Sequence, residues 1–179
     1  MAGVDLSGAL DVIEQLLTRP TTWLAGFALL ATAGLIAPLL VRRPRWSPLP
    51  TLLTLLAGVV AGAVTLAPRR RPSRTPSLTE CAHTIGADLV ALVPPTWQVL
   101  LNLVLFAPIM FFATLASRRP RAIAVFAFLA PLATEIVQGW TRRRICSAGD
   151  FVANTLGGLL GVVLATGWLA LTSRPLARR

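Results

Sequence analysis

Residues 151–171 read FVANTLGGLLGVVLATGWLAL, and none of them is charged. At about 1.5 Å per residue, a helix of this length runs about 30 Å, the thickness of a bilayer's hydrocarbon core. Asp150 stands immediately before the block, and Arg174, Arg178 and Arg179 follow it. A long charge-free run closed by charge at both ends is how a membrane-spanning helix reads. It places the chain among all-α, polytopic transmembrane bundles.

Working outward, four more such blocks appear: about Trp23–Val41, Pro50–Ala67, Trp97–Ala116 and Ala122–Trp140. Five spans are therefore expected. Residues 1–21 form an N-terminal segment in which Leu6, Leu10, Ile13 and Leu17 fall at helical spacing, so an amphipathic interfacial helix is predicted there. Asp5, Asp11 and Glu14 occupy the place where a cleaved leader would be basic, which speaks against one. Residues 22–49 hold the first span and its loop, with Pro44 to Pro50 read as a turn. Residues 50–172 hold the remaining four spans, and 173–179 form a basic tail. Within the second span Gly58 and Gly62 make a small-xxx-small pair suited to helix packing. Residues 68–96 are the one long polar segment and contain Cys81 and His83.

Composition agrees. Of 179 residues 55% are hydrophobic and 13% charged, with a mean hydropathy of +0.70. A soluble domain carries about 25% charged residues, so this chain could not cover a globule with polar surface. The net charge is +10, and every one of the 17 basic residues is arginine. They cluster at the ends of the apolar blocks: Arg42, Arg43 and Arg45; Arg69, Arg70, Arg71 and Arg74; Arg118, Arg119 and Arg121; Arg142, Arg143 and Arg144. That placement suits lipid phosphates and excludes a nucleic-acid surface.

Arginine counting does not orient the bundle. Five spans put eight arginines on the side of the N-terminus and nine on the other. The six acids outside the spans, Asp5, Asp11, Glu14, Glu80, Asp88 and Asp150, all fall on the N-terminal side, as do Cys81 and Cys146. A disulfide between the cysteines would make that side oxidising. The expected protein is thus a multi-pass component of a bacterial plasma membrane with its N-terminus out and C-terminus in.

Glu135 is the only ionisable residue within an apolar span, and such a residue invites a functional reading. It lies five residues before Trp140, about 7–8 Å from the helix end, where the cost of a carboxylate is lower. Gln138 and Arg142 share its helical face at i+3 and i+7. On the fifth helix Asp150, Asn154, Gly157 and Gly161 form a stripe at i, i+4, i+7 and i+11, with polar groups near the loop and packing glycines deeper. Ten residues separate Trp140 from Phe151, so the fourth and fifth helices are expected to be adjacent and antiparallel. Glu135, Gln138, Arg142, Arg143, Arg144, Asp150 and Asn154 should then gather near one membrane surface. Structural ion pairing and anion binding by the arginines both account for such a cluster. Asp150 also serves as a helix cap in the plainest reading.

Other chemistries lack support. His83 and two distant cysteines make no metal site. No phosphate-binding loop, dinucleotide fingerprint or serine-nucleophile motif occurs, so no metal and no cofactor are expected.

Leu101-Asn102-Leu103-Val104-Leu105-Phe106-Ala107-Pro108 resembles the N-x-x-L-F-x-P helix of VanZ-like membrane proteins. Glu135-Ile136-Val137-Gln138 is similar to that family's E-x-x-Q helix. Arg144 to Asp150, followed by Asn154-Thr155-Leu156-Gly157-Gly158-Leu159-Leu160-Gly161, is similar to its R…D…N-T-x-G-x-x-x-G ending. The resemblance covers roughly residues 50–170, leaving Trp23–Val41 as an addition to a four-helix core. It adds Asn102 to the candidate residues, and it implies a cell-envelope role linked, through the family's namesake, to glycopeptide antibiotic resistance.

Three functional classes remain open. The leading one is a non-enzymatic envelope protein whose outer polar cluster binds an anionic membrane lipid or a lipid-linked cell-wall precursor. The second is an intramembrane enzyme or proton-coupled carrier using Glu135. The third is an accessory subunit packing its glycine faces on a larger membrane partner.

Overall fold

The computed structural model describes Glu14, Thr18 and residues 20–41, 46–66, 97–141 and 148–173. Nearly all of these residues lie in five α-helices: α1 (Pro20–Val41), α2 (Pro48–Leu66), α3 (Trp97–Ser117), α4 (Pro120–Thr141) and α5 (Ala148–Thr172). Each contains a stretch long and apolar enough to cross a membrane, and no strand occurs among the described residues. The protein is an all-helical bundle with five candidate spans.

Three helices begin on a proline, at Pro20, Pro48 and Pro120. Proline suits the first helical position, where its fixed φ is already helical and its missing N–H is not needed. This corrects one expectation: residues 44–50 are not a single turn. The second helix opens at Pro48 and takes in Pro50, because a ring within the first turn breaks no intrahelical bond. The Ser47 carbonyl accepts from the Thr51 N–H at 3.1 Å, closing that first turn.

Most hydroxyls in the spans are handled locally. Thr54, Thr65, Thr114, Ser117, Thr134 and Thr166 each donate to the carbonyl four residues back in their own helix, and Thr51 donates to that of Ser47 just before α2. In hydrocarbon this spares the hydroxyl an unsatisfied hydrogen.

Helix α3 turns into α4 within two residues. Arg118 takes a left-handed φ of 53°, and its N–H donates to the Thr114 carbonyl at 2.8 Å. That single bond closes the end of α3. The Arg119 carbonyl then accepts from Ile123 at 3.1 Å to start α4. The two helices therefore run antiparallel. At the same end of the bundle, Ser47 N–H donates to the Ala116 carbonyl at 3.2 Å, so the start of α2 meets the end of α3.

The interior lies among α3, α4 and α5, where Phe106, Met110, Ala113, Ile123, Ala127 and Val162 are buried together. The most extensive helix pairing is α3 with α5, followed by α2 with its neighbours α1 and α3, then α4 with α5. Helix α1 lies against α2, where Leu29 reaches the Gly62 position, and no residue of its spanning window is fully buried. It is peripheral to the four-helix core.

Candidate functional site

Helix α5 approaches α3 through its glycines. A Cβ on Gly157 would overlap the Leu103 carbonyl oxygen and lie 2.8 Å from the Leu103 Cα. A Cβ on Gly161 would overlap the Ala107 carbonyl oxygen and lie 3.0 Å from the Phe111 nitrogen. Only the absence of a side chain lets the two backbones meet, the usual use of small residues between membrane helices. Gly158 is flanked by both neighbours: its Cβ would stand 3.0 Å from the Ala127 Cβ and 3.2 Å from the Met110 Cγ. Residue numbers rise together along the α3–α5 seam, so these helices are parallel, as befits elements separated by one antiparallel helix.

The Gly58–Gly62 pair divides. Gly62 receives the Leu29 side chain of α1, whose Cδ1 would lie 2.7 Å from a Cβ there. Gly58 differs from the packing expectation, since a Cβ there would meet nothing within 4 Å. Gly58 lies one turn earlier on the same side of α2, where no neighbouring atom comes within 4 Å of a Cβ position.

The parallel seam and the antiparallel turns bring four helix ends to one surface: the end of α2, the start of α3, the end of α4 and the start of α5. Five of the candidate polar residues lie there. Asn102, in the second turn of α3, donates from Nδ2 to Oδ1 of Asp150, the third residue of α5, at 2.7 Å. Gln138, near the end of α4, donates from Nε2 to the Thr65 carbonyl at 2.9 Å. Helix α2 ends at Leu66, so that carbonyl has no partner within its own helix and the glutamine amide closes it.

Glu135 is buried, as are Gln138 and Asn154. Ile123, Ala127, Pro131, Glu135 and Gln138 form one buried stripe along α4, while Ile136 and Val137 stay exposed on the other side. Glu135 therefore faces the bundle. Asn154, only 3% exposed, continues the inner stripe of α5 between Asp150 and Gly157. Among the described residues its Oδ1 is enclosed and accepts no hydrogen bond, and Thr155 Oγ1 and, in α1, Thr22 Oγ1 are likewise enclosed without a partner. Arg142, Arg143, Arg144, Cys81 and Cys146 lie outside the described residues. Among the described residues no group of histidine, cysteine and acid side chains could hold a metal ion.

Sequence reasoning missed two parts of this arrangement. The Thr65 carbonyl is a backbone atom and carries no residue signature. The Leu103 and Ala107 backbone surface is likewise invisible in side-chain patterns, though the spacing of four matches that of Gly157 and Gly161.

No curated protein and no solved structure matches the chain. The model of one protein family, described as VanZ/LLP1, matches residues 63–171. Those residues run from the last turn of α2 to the end of α5 and include Thr65, Asn102, Glu135, Gln138, Asp150, Asn154 and both packing glycines. With more than half its length matched, the chain belongs to the VanZ/LLP1 family of multi-helix membrane proteins, with α1 preceding the family region.

Proposed function

We propose that the polar end of the bundle binds the phosphate-bearing head of an anionic membrane lipid or of a lipid-linked cell-wall precursor. The observation that carries this reading is the convergence of Asn102, Glu135, Gln138, Asp150 and Asn154 at one end of an otherwise apolar bundle. The connection from α4 to α5 brings Arg142, Arg143 and Arg144 in the same stretch of chain. Guanidinium groups pair with phosphate oxygens through two parallel N–H donors. A wall precursor as ligand would relate the protein to glycopeptide susceptibility, as the family's namesake suggests.

Full-length protein purified in mild detergent is expected to retain phosphatidylglycerol, read by mass spectrometry of the extracted lipid. Arg143→Ala with Arg144→Ala should weaken retention by about tenfold, the scale of losing one charge-assisted hydrogen bond. Equal retention by the double variant would sink the proposal.

In this reading the polar end faces outward, with the N-terminus out and the C-terminus in. Support comes from Cys81 and Cys146, which five spans put on the same side. A membrane-impermeant maleimide added to intact, reduced cells should label both cysteines. Labelling only after lysis would reverse the orientation.

A further inference from the structure

Along α2, Thr51, Gly58 and Thr65 fall seven residues apart, so they lie on nearly one line of the helix. Thr51 is fully buried and Thr65 is 6% exposed, so both ends of that line are covered. Its middle is not: Gly58 is partly exposed, and a Cβ there would meet nothing within 4 Å. A line buried at both ends and open at its centre marks a hollow in the wall of the bundle. We infer that this hollow holds one acyl chain of a membrane phospholipid. The inference concerns the chain and not the headgroup, and it stands apart from the reading of the polar end.

The neighbours of α2 account for the hollow. Toward the polar end, Gln138 of α4 holds the Thr65 carbonyl at 2.9 Å. At the opposite end the Ser47 N–H reaches the Ala116 carbonyl of α3, and the turn through Arg118 and Arg119 starts α4 from the same end of α3. Helices α2 and α4 are thus drawn together at their ends, yet along their length they scarcely meet. One turn beyond Gly58, Leu29 of α1 fills the Gly62 position. Among the described residues no side chain does the same at Gly58.

Depth and chemistry select the occupant. Counting from Pro48, Gly58 is the eleventh of the 19 residues of α2, about 15 Å from its start and so near the middle of the span. Hydrocarbon chains surround a membrane helix at that depth. The hydroxyls on this side offer a ligand no hydrogen, because Thr51 and Thr54 donate theirs to the Ser47 and Pro50 carbonyls, each at 2.8 Å. A water would lack the roughly two to four polar partners it needs. A helix from a second copy needs a contact line several turns long, and the buried Thr51 and Thr65 deny it that line on either side of Gly58. A slim, jointed acyl chain needs only the gap itself, whereas an isoprenoid, with its regular methyl branches, needs a wider one.

The test uses full-length protein in nanodiscs of phosphatidylcholine, doped with phosphatidylcholine that carries a diazirine in the middle of one acyl chain. This probe has no net charge, so its result does not depend on whether the polar end binds an anionic headgroup. After illumination, adducts are mapped by mass spectrometry. Thr54 and Gly58 should be labelled about tenfold more than Leu52, Leu56 and Val60, the outward residues of the same helix, on the scale of burying about two methylene groups.

Gly58→Leu, whose side chain fills the hollow from within, should lower the labelling of Thr54 about tenfold and leave Leu52, Leu56 and Val60 labelled as before. Gly58→Ala, which the open space admits without a clash, should give an intermediate loss. Labelling of Thr54 and Gly58 no stronger than that of the outward residues in wild-type protein would overturn the inference, whatever the variants do. Unchanged labelling in a folded Gly58→Leu protein would overturn it too. Displacement of the probe by a trace of unlabelled polyprenol would make the occupant an isoprenoid, against the inference. Disulfide-linked dimers of Gly58→Cys, made on a background of Cys81→Ser and Cys146→Ser, would make it a second copy and count against it equally.

Discussion

Gly161→Leu should leave little folded protein, and Gly161→Ala should already lower the thermal midpoint by roughly 5 °C or more. The reason is that the first atom added, the Cβ, has no space. It would overlap the Ala107 carbonyl oxygen and stand 3.0 Å from both the Ala107 carbonyl carbon and the Phe111 nitrogen. These are backbone atoms of α3, so no rotamer change relieves the clash; the whole helix must move. Gly157→Ala should behave alike, since its Cβ would lie 2.8 Å from the Leu103 Cα and 2.9 Å from its carbonyl carbon. Overpacking costs about 1–3 kcal/mol where side chains can shift, and the rigid partner here puts these variants at or beyond the upper end.

Gly58, Gly34 and Gly167 are the controls, because a Cβ on any of them would meet nothing within 4 Å. Alanine at those sites should be neutral or stabilising by about 0.5–1 kcal/mol through helix propensity. Fluorescence-detected size exclusion after heating in detergent reads both sets. A Gly161→Ala protein as heat-resistant as Gly58→Ala would show that α3 and α5 do not meet backbone to backbone.

Asn102→Ala is expected to cost about 1–3 kcal/mol, the price of withdrawing a donor from a partly buried carboxylate. Its Nδ2 holds Asp150 at 2.7 Å across the α3–α5 seam, and alanine leaves that oxygen short of one partner. Asn102→Asp should be worse than alanine although it is nearly the same size, because it sets a second carboxylate where the first had a donor. Asp150→Asn, which keeps the shape and removes the charge, should partly rescue Asn102→Asp. The four proteins form a double-mutant cycle on thermal midpoint. Strict additivity would mean that the two residues do not interact.

The spans were legible because hydrocarbon admits so few backbone arrangements. Charge-free runs about 20 residues long must be helices. Their ends were less so. Helices α2 and α4 begin on Pro48 and Pro120, residues that hydropathy treats as breakers but that helix starts favour. The glycine stripe Gly157–Gly161 was readable as packing, yet not its partner. Chain order predicted that α4 and α5 are neighbours, and they do pack, but it named no partner for the glycines, whose closest approach is to the parallel α3. A short loop guarantees proximity, but the side free of side chains decides which backbone comes nearest. Gly58 shows the same limit, since spacing alone does not say how far along a shared face a neighbour comes close. Glu135 and Gln138 were placed on one face by periodicity, and both turn out buried. The Asn102–Asp150 bond joins residues 48 apart in sequence, and no local pattern could reveal it.

The parallel course of α3 and α5 has an electrostatic consequence. Each helix carries a macrodipole equivalent to about half a positive charge at its N-terminus. Antiparallel neighbours cancel such poles, but two parallel helices in backbone contact set their positive poles side by side at one surface. Asp150 is the only acid in the first turn of any of the five helices, and its carboxylate reaches across to Asn102 of α3. Its negative charge thus adds to the C-terminal ends of α2 and α4, which reach the same surface, in offsetting the two positive poles that the glycine seam sets together.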